Sequence, residues 1–320
     1  MQLLQDTWRS TAAMFTRRRA VAGLSVLAVL AVVYFGIAWF VLGEALTAER
    51  NAFDHQPADF DLTFEEIEFS PRGEPDITLR GWIFPIEDAL ATVIWVHGLD
   101  ANRAERLPMM RDLVDAGFAV LVFDLRGHGE SDDVPIGAGF FETADVRGGI
   151  DFLLREREVE PGKILLMGQS LGAATVLMAG VGESAVVGVF ADSAFASLSD
   201  VMIGEIAKRT LIPEWGAELL RPGIVFLGER FKGVEIDAVE PVAAPAQYDY
   251  PVGLAHCLED ERIPVEHGRR IRLASPGAVS WTQFPRCEHA DAYEEFPNEF
   301  LGVVVTYFDR RLADSSGGAG

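Results

Sequence analysis

This 320-residue chain predicts an α/β architecture: a mostly parallel sheet with helices on both faces, preceded by a single transmembrane helix. Three observations carry that expectation. Short runs rich in Val, Ile and Leu alternate with longer helix-compatible runs from residue 91 onward. The pentapeptide Gly168-Gln169-Ser170-Leu171-Gly172 stands where one such strand passes into a helix. Residues 20–43 form an unbroken run of 24 uncharged residues rich in Val, Leu, Ala, Phe and Trp.

At about 1.5 Å per residue, a helix over Ala20–Gly43 exceeds a hydrocarbon core of about 30 Å. Arg17, Arg18 and Arg19 precede it, whereas Glu44, Glu49, Asp54, Asp59 and Asp61 follow it. The positive-inside rule then keeps residues 1–19 in the cytoplasm and sends the rest of the chain across. A cleaved signal peptide is the competing reading. Its apolar region runs about 7–15 residues and ends at a small-residue site, whereas this run is longer and Leu46-Thr47-Ala48 makes a poor site. The segment is therefore read as a signal-anchor, with polar residues 44–63 as a tether.

The domain is expected over residues 64–312. Phe64–Phe69 and Ile77–Phe84 alternate apolar and polar residues around Ser70-Pro71-Arg72-Gly73-Glu74-Pro75, the pattern of a β-hairpin. Strands follow at Ala91–Val96, Ala119–Phe123, Lys163–Met167, Val186–Phe190 and Pro251–Cys257. Helices are expected at Ala104–Ala116, closed by Gly117, at Glu142–Arg155, and directly after Ser170. Between Ala194 and Pro251 the alternation lapses. There Met202–Ala207 and Trp215–Leu220 look helical, while Ile224–Leu227 is apolar but too short to assign. Residues 313–320, rich in Gly and Ser, predict a disordered tail.

The chemistry centres on Ser170. A serine at a sharp strand-to-helix turn needs glycine on both sides, because the backbone is strained and the helix passes close to neighbouring strands. Its hydroxyl is a weak nucleophile at neutral pH and needs a histidine to take its proton and a carboxylate to orient that histidine. Three histidines lie downstream. His256 falls inside a strand and His267 just after a helix start, which leaves His289 in the loop Phe284–Asp291 as the base. The acid is placed at Asp260, in the loop leaving strand Pro251–Cys257. Glu259 and Glu261 beside it read as solvated charges. Asp192, at the end of an earlier strand, is the rival, with a helix cap or loop hydrogen bond as its plainer role.

Together these residues resemble an α/β-hydrolase-fold serine hydrolase, of the serine-aminopeptidase-like group that includes membrane-anchored lipases and thioesterases. The likeness rests on the elbow at Ser170, on His97-Gly98, on Phe123-Asp124-Leu125-Arg126-Gly127-His128-Gly129-Glu130-Ser131, on Ala191–Phe195, on Leu258–Pro264 and on His289, and it spans roughly Phe64 to Leu312. It implies oxyanion donors at the backbone N–H groups of Leu99 and Leu171. It also implies structural roles for His97 and His128, and a small cap over residues 194–245 whose apolar residues either wall an acyl or peptide site or pack on the sheet. Two departures are Cys257 and Cys287. In this fold their strands are neighbours, so the thiols can meet as a disulfide beneath the acid and the base, or remain two small buried hydrophobes.

Acidic residues number 49 against 27 basic, a formal charge of −22, which repels nucleic acid and anionic surfaces. No phosphate-binding glycine loop and no His-Glu-x-x-His pattern occurs, so no cofactor and no metal is called for. The expected activity is cleavage of an ester or thioester, lipid or acyl, through a Ser170–His289–Asp260 triad. The alternatives are amide or peptide cleavage, acyl transfer by the same acyl-enzyme, and a non-catalytic membrane-bound binding protein on the same fold.

Overall fold

The computed structural model describes residues 2–210, 212–275 and 280–317. It divides into two compact units, one made of the chain up to Glu44 with Met202–Gly233, the other of Ala45–Val201 with Val234 onward.

The larger unit is built on one eight-stranded sheet: β1 (Glu65–Phe69), β2 (Leu79–Phe84), β3 (Thr92–Val96), β4 (Ala119–Phe123), β5 (Ile164–Gln169), β6 (Val186–Asp192), β7 (Gly253–Cys257) and β8 (Ser280–Phe284). Their spatial order is β1-β2-β4-β3-β5-β6-β7-β8. The hairpin read from the sequence is β1 against β2, antiparallel, and β2 is also antiparallel to β4. From β4 to β8 every pairing is parallel. Every residue of β3, β4, β5, β6 and β7 is buried. A parallel sheet covered on both faces has no wet side, which is why these strands read as continuous apolar runs without alternation.

The helices are numbered in chain order: α1 (Gln2–Ala45), α2 (Leu107–Asp115), α3 (Glu142–Glu156), α4 (Leu171–Ala179), α5 (Leu198–Arg209), α6 (Glu214–Ala217), α7 (Arg221–Leu227), α8 (Glu266–Ala274), α9 (Ala292–Glu295) and α10 (Pro297–Gly317). α10 presents Phe300, Tyr307 and Phe308 to Phe190 of β6, and Phe308 also meets Phe118. Burying such rings contributes about 1.5–3 kcal/mol each.

Three expectations change in detail. Residues 313–317, expected as loose tail, continue α10; residues 318–320 lie outside the described residues. The stretch expected as a plain tether is bonded to the larger unit. Glu49 N–H donates to Asp100 Oδ1 at 2.8 Å, and Asn51 Nδ2 donates to Asp100 O at 2.7 Å. Phe53 packs on Trp82 with the Arg103 guanidinium over both rings. Of the residues expected as a cap, 194–201 and 234–245 belong to the larger unit and only 202–233 to the smaller one.

The smaller unit joins α1 to the insertion. Residues 214–232 form one nearly continuous helical run: α6, a 3-10 turn over Glu218–Leu220, α7 and a π-turn over Gly228–Lys232. Ile224–Leu227, unassigned from sequence, lies in α7. Within α1, Arg17–Ala45 is the one helix among the described residues that is long and apolar enough to cross a membrane.

Candidate active site

Ser170 occupies the turn between β5 and α4 with φ 53° and ψ −115°, a left-handed backbone that costs a non-glycine residue of order 1–3 kcal/mol. Both flanking glycines are required by space. A Cβ on Gly172 would lie 2.1 Å from the Val96 carbonyl oxygen, and one on Gly168 would lie 2.4 Å from that of Gly172. The turn is pinned from below by Ser170 N–H donating to Asp192 O at 2.9 Å.

His289 Nε2 stands 2.7 Å from Ser170 Oγ, and His289 Nδ1 stands 2.7 Å from Asp260 Oδ2. A carboxylate only accepts, so Nδ1 carries the proton and Nε2 presents its lone pair to the serine hydroxyl. Asp260 is wholly buried at its side chain, while His289 keeps a 15 % exposed edge. Burial alone would raise the Asp260 carboxyl, but hydrogen bonds from His256 and His289, the charge of His289 and the Ile263 N–H together hold it below the usual carboxylate range. Ile263 N–H donates to Oδ1 at 2.7 Å. His256 Nε2 donates to Ile263 O at 2.7 Å and lies 3.5 Å from Asp260 Oδ2, so it buttresses the acid loop from inside β7.

The structure thus brings Ser170, His289 and Asp260 together. Asp192 makes no bond to His289. Its carboxylate accepts from Ser193 Oγ at 3.2 Å, and burial raises it to about 6 against the pull of His256. His267 Nδ1 accepts from Ala196 N–H at 3.1 Å, away from the serine. The turn carrying Leu99 follows β3 beside Ser170: a Cβ on Gly98 would sit 3.4 Å from Ser170 Cβ. Leu171 is the first residue of α4, so its N–H has no carbonyl partner inside the helix.

His97 shapes the Gly98–Leu99 turn. Its Nδ1–H donates to Gly98 O at 2.7 Å, and its Nε2 accepts from Leu125 N–H at 3.0 Å. Only a neutral ring satisfies both. Burial first, and then neighbouring His128, lower its pKa to about 3 against the Gly98 bond. In the loop after β4, Asp124 accepts from Arg103 N–H and Nη1, each at 2.7 Å, and from Glu130 N–H at 2.8 Å, while His128 Nδ1–H donates to Arg126 O at 2.8 Å. This motif holds its own loop and offers no second base.

Sequence reasoning missed Arg106. Its Nε donates to Gln169 Oε1 at 2.9 Å and its Nη2 to Ala290 O at 3.0 Å; it also pairs with Glu294. Glu105, whose carboxyl is raised by burial, accepts from Gly98 N–H and lies 3.4 Å from Gln169 Nε2. These two residues join the elbow, the Gly98 turn and the His289 loop. Beneath that loop Cys257 and Cys287 are linked by a disulfide, their Cα atoms 5.2 Å apart, and Leu258 N–H donates to Phe284 O at 2.8 Å.

The model of the alpha/beta hydrolase family matches residues 93–305, which include the whole Ser170–His289–Asp260 constellation. The chain belongs to that family. Among its relatives is the uncharacterized protein YfhR of Escherichia coli (strain K12), 28% identical over 239 residues that cover 72% of this chain and 75% of YfhR. The structure is similar to that of the Pyrococcus furiosus esterase Pf2001, with a TM-score of 0.67 at 19% identity over 83% of this chain and 99% of the esterase. It is also similar to the Pyrococcus horikoshii acylaminoacyl peptidase, with a TM-score of 0.59 at 15% identity over 78% of this chain and 42% of the peptidase. At such identities the two structural likenesses speak for the alpha/beta hydrolase fold alone. Among the described residues no group of His, Cys, Asp and Glu is arranged to hold a metal ion.

Proposed function

We propose that this alpha/beta hydrolase is a membrane-anchored serine hydrolase that cleaves an ester or thioester, with the catalytic domain on the extracytoplasmic side. The observation that carries the reading is the unbroken relay from Asp260 Oδ2 through His289 to Ser170 Oγ, both links 2.7 Å long. In the first half-reaction His289 Nε2 takes the Ser170 proton as Oγ attacks the substrate carbonyl. Leu99 and Leu171 N–H groups receive the developing oxyanion. His289 then protonates the leaving alcohol or thiol, and the acyl group stays on Ser170. A water molecule, deprotonated by His289, releases the acid and restores the serine.

The apolar span of α1, with Arg17, Arg18 and Arg19 before it, supports the anchor and its orientation. The disulfide agrees with an oxidising compartment.

The full chain in detergent, treated with a fluorophosphonate probe, should be labelled, and Ser170→Ala should not be. Equal labelling of both, or labelling of neither in folded protein, overturns the serine mechanism. For the location, protease added to right-side-out spheroplasts should digest the domain; a domain protected until the cytoplasmic membrane is broken overturns the orientation. A panel of acyl esters, thioesters and aminoacyl amides should show turnover of the first two classes above the third.

A further inference from the structure

Helix α1 does not present a bare cylinder along its length. Tyr34 Oη donates to Leu219 O at 2.9 Å and accepts from Gly223 N–H at 3.0 Å. Gly223 is required there, since a Cβ would fall 2.6 Å from the Tyr34 ring. Phe35 meets Phe226 with ring centroids 6.2 Å apart, Trp39 meets Phe231 at 6.0 Å, and Lys232 Nζ lies 5.1 Å from the Trp39 ring centre. The insertion therefore grips α1 between Tyr34 and Trp39.

That grip fixes a depth. Counted from the last arginine before the span, residues 20–33 make a helix of about 21 Å, short of a hydrocarbon core of about 30 Å. About 20 residues are needed, and these run to Trp39, so an anchored α1 carries the segment that the insertion grips below the membrane surface. Tyr34 lies five residues, about 7 Å, inside that end, which falls within the 5–10 Å to which interfacial helices sink.

The insertion's exposed apolar side chains suit such a place, including the two that also touch α1. Trp215 is 73%, Leu219 65%, Phe226 53% and Phe231 58% exposed. The first three recur at spacings of four and seven along the helical run, one face of it. The charges here also differ from those of the rest of the molecule. Lys208, Arg209, Arg221, Arg230 and Lys232 outnumber Glu205, Glu214, Glu218 and Glu229 in a chain whose total is −22. Glu218 and Arg221 pair with each other at 2.9 Å, which spares a lone charge at the boundary, and Lys232 has a stem long enough to reach the headgroups.

We propose that residues 202–233 are a second membrane contact, seated in the extracytoplasmic leaflet against α1 with Trp215, Leu219, Phe226 and Phe231 in the acyl-chain boundary. The partner is a phospholipid bilayer. The inference rests on the anchor reading above. The chain leaves the larger unit after Val201 and returns to it at Val234, so the contact is tethered to that unit by two connections besides the one after α1.

The test uses the full chain in phosphatidylcholine nanodiscs, with the lipid brominated either near the top or at the middle of its acyl chains. Tryptophan emission of the wild type is compared with that of Trp215→Phe and of Trp39→Phe, and each difference isolates one ring. Quenching of both the Trp39 and the Trp215 components, stronger with shallow than with mid-chain bromine for Trp215, is the expected result. A quenched Trp39 beside an unquenched Trp215 overturns the insertion while leaving the anchor standing. If neither is quenched, the anchor and the insertion fall together.

Discussion

Arg106 donates a hydrogen bond of 2.9 Å to Gln169, the residue immediately before Ser170. The same guanidinium bonds the main chain of Ala290, immediately after His289, so one side chain gauges the distance between serine and histidine. Lysine has no planar fork to serve both partners. Arg106→Lys is expected to lower kcat by about ten- to a hundredfold with KM nearly unchanged, as displacements of about 1 Å do at catalytic groups. A raised KM at unchanged kcat would show that Arg106 meets substrate and does not position the relay.

Asp260→Asn should fold normally and lose about three to four orders of magnitude in kcat, because an amide can donate to Nδ1 and so favours the wrong tautomer of His289. Asp192→Asn should keep most of its turnover, since that side chain is bonded to Ser193 and not to His289 among the described residues. Steady-state kinetics beside thermal melts distinguishes the pair. Exchange of the two phenotypes would move the acid to β6.

His97 makes the Gly98 turn acid-sensitive. An unfolded histidine titrates near pH 6.5, whereas burial lowers the folded one to about 3. Between these values the unfolded chain takes up a proton that the folded chain refuses. The neutral ring's contribution is therefore complete above pH 6.5 and is lost as pH falls towards 3, by on the order of a few kcal/mol. Asp192, raised to about 6, works in the opposite sense over part of this range, so the comparison must be differential. His97→Gln should cost stability at neutral pH, and that cost should shrink steadily on acidification. A penalty independent of pH in urea titrations would contradict the neutral-ring assignment.

Removing the disulfide should act on stability before it acts on chemistry. It closes a loop across 30 residues, and such a loop contributes about 3–4 kcal/mol by restricting the unfolded chain. A Cys257→Ser, Cys287→Ser double variant is expected to lose about that much unfolding free energy in denaturant titrations, to melt at a lower temperature, and to retain turnover well below its melting temperature. Identical melting of wild type with and without reductant, with the thiols shown free by alkylation, would argue against the bond.

Much of the larger unit was legible because its strands are buried on both faces, so Ile164–Met167 and Val186–Phe190 announced themselves by composition alone. Ser170 and Asp260 were legible as candidates because each directly follows a readable strand, Lys163–Met167 and Pro251–Cys257, whereas His289 emerged by setting aside His256 and His267. Arg106 was not. Its partners Gln169 and Ala290 lie 63 and 184 residues away, and no local pattern encodes a hydrogen bond across that separation. The end of α10 misled for a local reason. Ser315 and Ser316, ordinarily loop formers, turn their hydroxyls back to Leu312 O, and Arg311 pairs with Asp314, so the helix continues. Ile224–Leu227 was too short to assign because its helix is stitched from α, 3-10 and π turns.

The left-handed Ser170 sets a standing conflict between durability and use. Glycine would adopt that φ without strain and would leave the turn more relaxed, at the price of the hydroxyl. A lineage that kept this fold only as a scaffold would gain from the exchange with a single substitution. Such a lineage would drift towards glycine under selection for stability alone. Serine at this position is thus held against the grain of thermodynamics, and engineering for heat tolerance that optimises stability without an activity screen should be expected to erase it first.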